Sequence, residues 1–338
     1  MKYLRRLIYL GYYAQKMDWA MLRRFIQHTR RKNGLSVVQQ VKGFLGDSLR
    51  YNITPLEWYQ FGFPSLDAEA KATWAGTGTM FEFQRIANPQ EYRVVLSDKR
   101  KFYNTYREFF KHAIWSIDQL ASDPDLVKRI LNEHEFLVFK DAAGNCGTSI
   151  EIHRTIDLDF EALPDWMKKR GFDMVEEHLE QHPRLQALSP SGVNTVRIFT
   201  LVDEHGDYTV LGCRLRISVD SHVDNLAAGN LAAPINKETG IVDGAGVYSD
   251  ITRGAEENHP ITEIPIEGFQ VPFWADALEL VRQASLRHPQ NRSIGWDLVI
   301  TPDGPDLIEG NHDWCKLVWQ LPVKRGLKRL ITETQRPE

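Results

Sequence analysis

The stretch GWDLVITPDGPDLIEGN, residues 295–311, places two carboxylates and an amide inside what otherwise reads as a buried hairpin. Residues 296–301 and 306–311 are strand-like, and Pro-Asp-Gly-Pro supplies turn chemistry between them. Side chains alternate along a strand, so Glu309 and Asn311 share one face. Asp297, roughly opposite 309 or 310 on the neighbouring strand, reaches that same face. Carboxylates that close repel each other and resist desolvation. A hard cation relieves both effects, and a small set of oxygen ligands suits a Mg²⁺ that keeps waters and substrate phosphates. Ordinary surface acids beside a turn would read the same way, so the decision rests on the rest of the chain.

Other stretches carry groups suited to anions. In FLVFKDAAGNCGTSIEI a strand delivers Lys140 to a loop holding Gly144 and Gly147, and a second strand returns. Glycines let backbone N–H groups approach a phosphate closely. No Gly-Lys-Ser/Thr opens a helix here, so the expectation is a hairpin lid rather than a Walker loop. LSDKRKF sets Lys99 at an expected strand–helix junction, with Lys101 as a competitor. DMVEEHLEQHP holds Glu176 and Glu177; adjacent strand residues point opposite ways, so only one can face a given cleft. In NTVRIFTLV apolar residues on both sides of Arg197 predict a strand covered on both faces, where an arginine needs a carboxylate or phosphate partner. CRLRIS puts Arg214 and Arg216 on one face, and Asn225 follows in a glycine-containing loop.

The elements that must position these groups are mixed. Residues 1–90 read mainly as helices and loops. From about 92 onward short strands alternate with helices: YRVVLSD, EFLVFK, TSIEIH, DMVEEHL, NTVRIFTLV and YTVLGCRLRIS as strands, KRKFYNTYREFFKHA, LPDWMKKRGF and VPFWADALELVRQASLRHP as helices. Hairpin-type connections predict an α+β fold. At 338 residues the chain can bury a large core. No apolar run reaches the ~18 residues of a membrane span. Three widely spaced cysteines argue against a disulfide framework. The opening MKYLRRLIYLGYYAQKMD resembles a signal peptide only faintly. These features predict a cytoplasmic protein. Residues 1–33 hold nine Lys or Arg and one acid, a net of +8 within a total of −4. The ordinary reading is helices packed on the body with a solvated basic face. The other is peripheral contact with an anionic membrane surface or an acidic partner.

The order of these elements resembles the ATP-grasp superfamily, and more narrowly the sugar-transfer-associated ATP-grasp proteins, relatives of glutamate ligases. LSDKRKF, FKDAAGNCG, EEHLEQHPRL, SGVNTVRIFTLV, RLRISVDSHVDN, HPITEIPIEGFQVPFW and GWDLVITPDGPDLIEGN carry the resemblance, over roughly 94–311. It implies an ATP-grasp fold, two α+β subdomains clasping ATP, after a mainly helical N-terminal region. The division expected is 1–90 basic and helical, 91–175 the first subdomain with the glycine-rich lid, and 176–338 the second with the phosphate and Mg²⁺ site. The resemblance implies that Lys99 and Lys140 contact ATP phosphates and that Gly144 and Gly147 form the lid. Glu176, Glu177 and Leu179 would sit at the adenine and ribose hinge, and Asn225 would help position phosphate or substrate. Arg197 and Arg216, with Lys140, would serve catalysis, and Asp297, Glu309 and Asn311 would bind one or two Mg²⁺. The activity implied is amide formation between a carboxylate and an amine, by analogy an amino acid and a sugar acid in surface-polysaccharide synthesis. A phosphotransferase on the same fold and a non-catalytic binding module are the alternatives; no nucleic-acid partner is implied.

Overall fold

Capping chemistry divides the first hundred residues of the computed structural model, which describes residues 2–142, 144, 150–159, 161–222 and 224–332. The helices here are α1 (Lys2–Gln15), α2 (Trp19–Asn33), α3 (Val37–Tyr51), α4 (Pro55–Gln60), α5 (Ala68–Ala72), α6 (Thr77–Ala87), α7 (Gln90–Ser97) and α8 (Lys99–Tyr106). Asp18 accepts from the Met21 N–H at the start of α2, and Ser36 and Thr54 form capping boxes with Gln39 and Glu57. Apolar stripes of α2, α3 and α4 close a local core of Leu22, Phe25, Phe44, Trp58 and Tyr59, joined by Phe61, Phe63 and Trp74 from the following loops. The stretch YRVVLSD, expected as a strand, is instead helix α7. The helical turn packs Val95 and Leu96 onto the central core. Tertiary packing overrides the strand preference of the two valines. Helices therefore continue past residue 90, to Tyr106.

A four-stranded sheet follows, built from β1 (Ile114–Ser116), β2 (Phe136–Lys140), β3 (Ile150–Arg154) and β4 (Met174–Glu177) in the order β1-β4-β2-β3, all pairs antiparallel. Three helices cover one face: α9 (Ile117–Ser122), α10 (Pro124–Glu133) and α11 (Leu163–Arg170). They pack Leu120, Val127, Ile130, Leu163 and Met167 against Leu137, Phe139 and Val175. The other face, bearing Val138, Lys140, Ile150, Ile152 and Glu176, meets no such helix layer among the described residues, although Met174 at one end packs with Ile114, Ala142, Tyr103 and Phe110; Ile152 is 49% exposed. The expected boundary between 175 and 176 falls inside β4, whose partners β1 and β2 hold it in this first sheet.

After the short helix α12 (Pro183–Leu188) comes a five-stranded antiparallel sheet of β5 (Thr195–Val202), β6 (Tyr208–Ile217), β7 (Leu231–Ile235), β8 (Ser293–Thr301) and β9 (Gly304–Asn311), ordered β7-β6-β5-β8-β9. β5 is central and buried along its whole length, as the two-sided apolar pattern requires. On one face Val196, Ile198, Leu215, Trp296 and Leu298 meet α13 (Trp274–Arg287) and α8. On the other, Phe199 and Leu211 meet α6 and the C-terminal helix α14 (Lys316–Gln320) through Phe83, Trp314 and Trp319. The α+β class is thus as expected.

The segment 107–113 ties the two sheets. Buried Asp306 accepts from the backbone N–H groups of Lys111 (2.9 Å) and His112 (3.1 Å) and lies 2.8 Å from the His112 Nδ1. Two residues on, the carbonyl of Ala113 accepts from the Glu177 N–H. None of the described helices is long and apolar enough to cross a membrane.

Candidate active site

Two clusters of charge meet the requirements set by the sequence, one on each sheet. On the first sheet, Asp98 caps α8 by accepting from the Arg100 N–H at 2.9 Å. This cap fixes Lys99 at the first helical position. Its backbone N–H donates to Ala142, and its ammonium reaches the carbonyls of Asp141 (3.4 Å), Ala142 (3.5 Å) and Gly144. Lys101 is exposed and has no side-chain bond to the described residues of that loop. Lys99 therefore sits between two helices rather than at a strand–helix junction. Asp173 holds the same loop, accepting from the Ala142 N–H at 2.7 Å while Arg100 lies 3.3 Å away. Gly147 lies outside the described residues.

Lys140 ends β2 on the uncovered face and is ion-paired with Glu176 of β4, both nearly buried. Of the two adjacent acids, Glu176 is thus the one on this face. Glu177 accepts from the Ala113 N–H at 3.2 Å and has His134 3.9 Å away; Leu179 is half-buried beyond the strand end. Val138, Ile150 and Ile152 complete an apolar floor beside the ion pair. Alternation within TSIEIH carried that signal, because it exposes two isoleucines on an edge strand.

The second cluster lies on one face of the five-stranded sheet. Arg197, Asp297 and Glu309 stand in register on β5, β8 and β9. Arg197 grips Asp297 with two bonds, the Nη2–Oδ2 contact being 2.6 Å. Arg216 bridges Asp297 at 3.0 Å and Asp224 at 2.8 Å, and Asp224 also accepts from the Thr195 N–H and hydroxyl. The Asn311 amide donates to Glu309 at 3.0 Å. Asp297, Glu309 and Asn311 therefore converge as the alternation of the hairpin predicts. The relief of repulsion is different from the one expected: two guanidinium groups, not a cation alone, neutralise Asp297.

Charge balance then sets the protonation of the cluster. Burial alone would raise the Asp297 carboxyl, but Arg197 and Arg216 outweigh it and hold it at about 2. Glu309 is pushed up, by burial first and by Asp297 second. Arg216 is raised in spite of its burial, by Asp224 and Asp297. Two arginines balance two aspartates, and Glu309 is the negative charge left over. The buried Nε of Arg216 also has no hydrogen-bond partner among the described residues.

Asn225 caps the short turn that follows, its side-chain oxygen accepting from the Ala227 N–H at 3.0 Å, while its neighbour Asp224 enters the cluster. Arg214, on the same face as Arg216, turns to the carbonyl of Trp319 near the end of α14 and of Cys213; burial lowers its guanidinium to about 10. Asp224 and Thr195 are the site residues that sequence reasoning does not reach.

A first sheet bearing Lys140, joined to a second with inward arginines and an Asp–Glu–Asn hairpin, fits the ATP-grasp class of fold. The family model for sugar-transfer associated ATP-grasp proteins matches residues 130–336, and the chain belongs to that family. Solved structures it is similar to include a D-alanyl-alanine synthetase A from Vibrio cholerae, 12% identical with a TM-score of 0.42, covering 71% of this chain and 65% of that one. A biotin carboxylase from Campylobacter jejuni is 10% identical with a TM-score of 0.45, covering 72% and 48%. An N5-carboxyaminoimidazole synthetase from Staphylococcus aureus, solved with ADP, is 11% identical with a TM-score of 0.38, covering 66% and 47%. This chain thus spans less than two thirds of the length of each. No curated protein sequence matches it.

Proposed function

We propose that the chain is an ATP- and Mg²⁺-dependent ligase that joins a carboxylate to an amine through an acyl phosphate. The observation that carries this reading is the convergence of Asp297, Glu309 and Asn311 on one face of the β8–β9 hairpin, beside Arg197 and Arg216. Among the described residues no three His, Cys, Asp or Glu side chains cluster at metal-binding distance. The candidate set is two carboxylates and an amide. That all-oxygen chemistry fits Mg²⁺, with Glu309 as the donor whose charge is not already matched. Bound there, Mg²⁺ would neutralise ATP phosphates and the charge on the transferred phosphoryl group.

The remaining roles belong to the chain's own side chains. Lys99 and Lys140 hold phosphates, with Gly144 and Gly147 in the loop that closes over them. The segment of Glu176, Glu177 and Leu179 takes the adenine and ribose over the floor of Val138 and Ile152. Arg197 and Arg216 stabilise the phosphoryl group in flight, and the unpartnered Arg216 Nε is a donor ready for an anion. Asn225, at the edge of the cluster, helps position the bound phosphate or substrate by holding the loop of Asp224. A substrate carboxylate oxygen attacks the γ-phosphorus and the bond to the β-phosphate oxygen breaks, releasing ADP. The amine nitrogen then attacks the acyl carbon, phosphate leaves, and the nitrogen loses a proton to water. Shielding the acyl phosphate from hydrolysis gives the glycine loop its mechanical purpose. Residues 1–90 act as a support, and the two subdomains meet beyond β4. An amino acid and a sugar acid are the substrate pair this reading favours.

The test is to supply ATP and Mg²⁺ with amino acids and uronic-acid sugars in pairs, measuring phosphate release and product mass. The expected product is an amide that needs both partners. A stable phosphorylated product formed without any amine would replace the ligase with a phosphotransferase. No ATP turnover with any pair would leave a binding module.

A further inference from the structure

The first two helices carry apolar side chains that the body does not cover. Arg6 donates to the carbonyls of Leu49 and Arg50, both at 2.7 Å, and Tyr13 is buried, so the inward face of α1 is fixed. Its outward face then exposes Leu7, Ile8 (65%) and Tyr12 (58%), the last two one helical turn apart. Phe81, which Tyr9 meets edge-on, lies alongside and is half exposed, with Arg85 over its ring. On α2, Leu22, Phe25 and Thr29 face the core. The opposite stripe holds Trp19 (55% exposed), Arg23 and Arg30, at the spacing that keeps them in line, with Arg31 and Lys32 beside them.

Much of the charge here has no counter-ion among the described residues. Residues 1–50 contain eleven Lys or Arg and two acids, +9, so the remaining residues total −13 within −4. Asp18 caps α2 and Asp47 pairs with Lys71. Arg24 has Asp250 at 3.2 Å, while Lys16, Arg23, Arg30, Arg31 and Lys32 form no ion pair among the described residues. Aromatic and aliphatic side chains beside unpaired cations, on a helix too short to span a bilayer, fit an anionic lipid–water interface. A purely solvated basic face would not need Ile8, Tyr12 and Trp19 in water.

We propose that α1 and α2 dock this protein on an anionic membrane surface, with Ile8, Tyr12 and Trp19 entering the interface and Arg23 and Arg30 meeting lipid phosphates. The experiment is flotation of the full chain with phosphatidylcholine vesicles, with or without about one third phosphatidylglycerol. Binding is expected only to the anionic vesicles, weakening as salt rises. Arg23→Glu with Arg30→Glu, and separately Ile8→Asp with Tyr12→Asp, should each reduce it by roughly tenfold or more while leaving the thermal transition in place. Absence of binding by the unaltered chain at low salt overturns the proposal, and that arm stands even if a variant fails to fold. Undiminished binding by the Ile8→Asp, Tyr12→Asp variant overturns it too, because attachment would then be charge alone. A dimer that this variant dissociates would assign the patch to a second copy, and capture by polyglutamate but not by vesicles would assign it to an acidic protein.

Discussion

Glu309 and Asp297 lie side by side, yet their environments push them apart, and substitution should separate them. Glu309→Gln removes the unmatched charge and keeps size and hydrogen bonding. We expect it to abolish turnover while leaving metal-free stability equal or higher, read by thermal melting and phosphate release. Near-normal turnover would remove this hairpin from the site. Asp297→Asn should also abolish turnover, but it leaves buried Arg197 without its carboxylate and Arg216 with Asp224 alone, and should cost about 3–5 kcal/mol of stability. The double variant should be no less active than either single one, since the residues act on one centre. Lys140→Ala should weaken ATP-analogue affinity by about 2 kcal/mol, measured by calorimetry. Pairing it with Glu176→Gln should recover stability, because Glu176 is then no longer an unpaired buried carboxylate.

At the scale of elements, the start of α8 is the part on which the phosphate site most depends. Asp98 holds that helix start and, through Arg100, stands next to the loop held by Asp173. Asp98→Ala should cost about 1 kcal/mol as a lost cap. Fraying of the first turn would also displace Lys99, so the KM for ATP should rise several-fold with kcat little changed. An unchanged KM would place Lys99 outside the phosphate site. The β8–β9 hairpin differs in kind, since its site residues lie on strands paired on both sides or along a sheet edge. Its geometry should persist in all the variants named above, and amide exchange in β8 should be slow in each.

For the molecule as a whole, the arginine–carboxylate row makes stability depend on acid. Asp297 has a folded value of about 2, below the ordinary range, so its stabilisation is full above about pH 4 and is lost as pH falls toward 2. That contribution is about 2 kcal/mol at neutral pH. Glu309 works in the opposite sense: its raised value makes its ionised form destabilising, and protonation on acidification relieves the strain. Acid titrations of the native chain and of Glu309→Gln should show the same loss below pH 4, with the native chain alone gaining stability between neutrality and that point. Mg²⁺ with a non-hydrolysable ATP analogue should raise the native melting temperature at pH 7 and leave that of Glu309→Gln unmoved.

Local patterns were enough to place Asp297, Glu309 and Asn311 on one face, to set Lys140 at a strand end, and to bury both faces of the strand around Arg197. Each of these follows from the two-residue period of a strand and from turn chemistry a few residues away, so each is written in contiguous sequence. Partners between strands are not written there. Asp224 reaches Arg216 only because β5 and β6 pair in one register, and the choice of Glu176 over Glu177 depends on which face of the first sheet α9, α10 and α11 cover. Arg214 turns away from the cluster because α14 presents a carbonyl to it. Residues 90–97 became a helix for the same kind of reason: burial of Val95 and Leu96 against the central core decided the backbone that the local sequence left open.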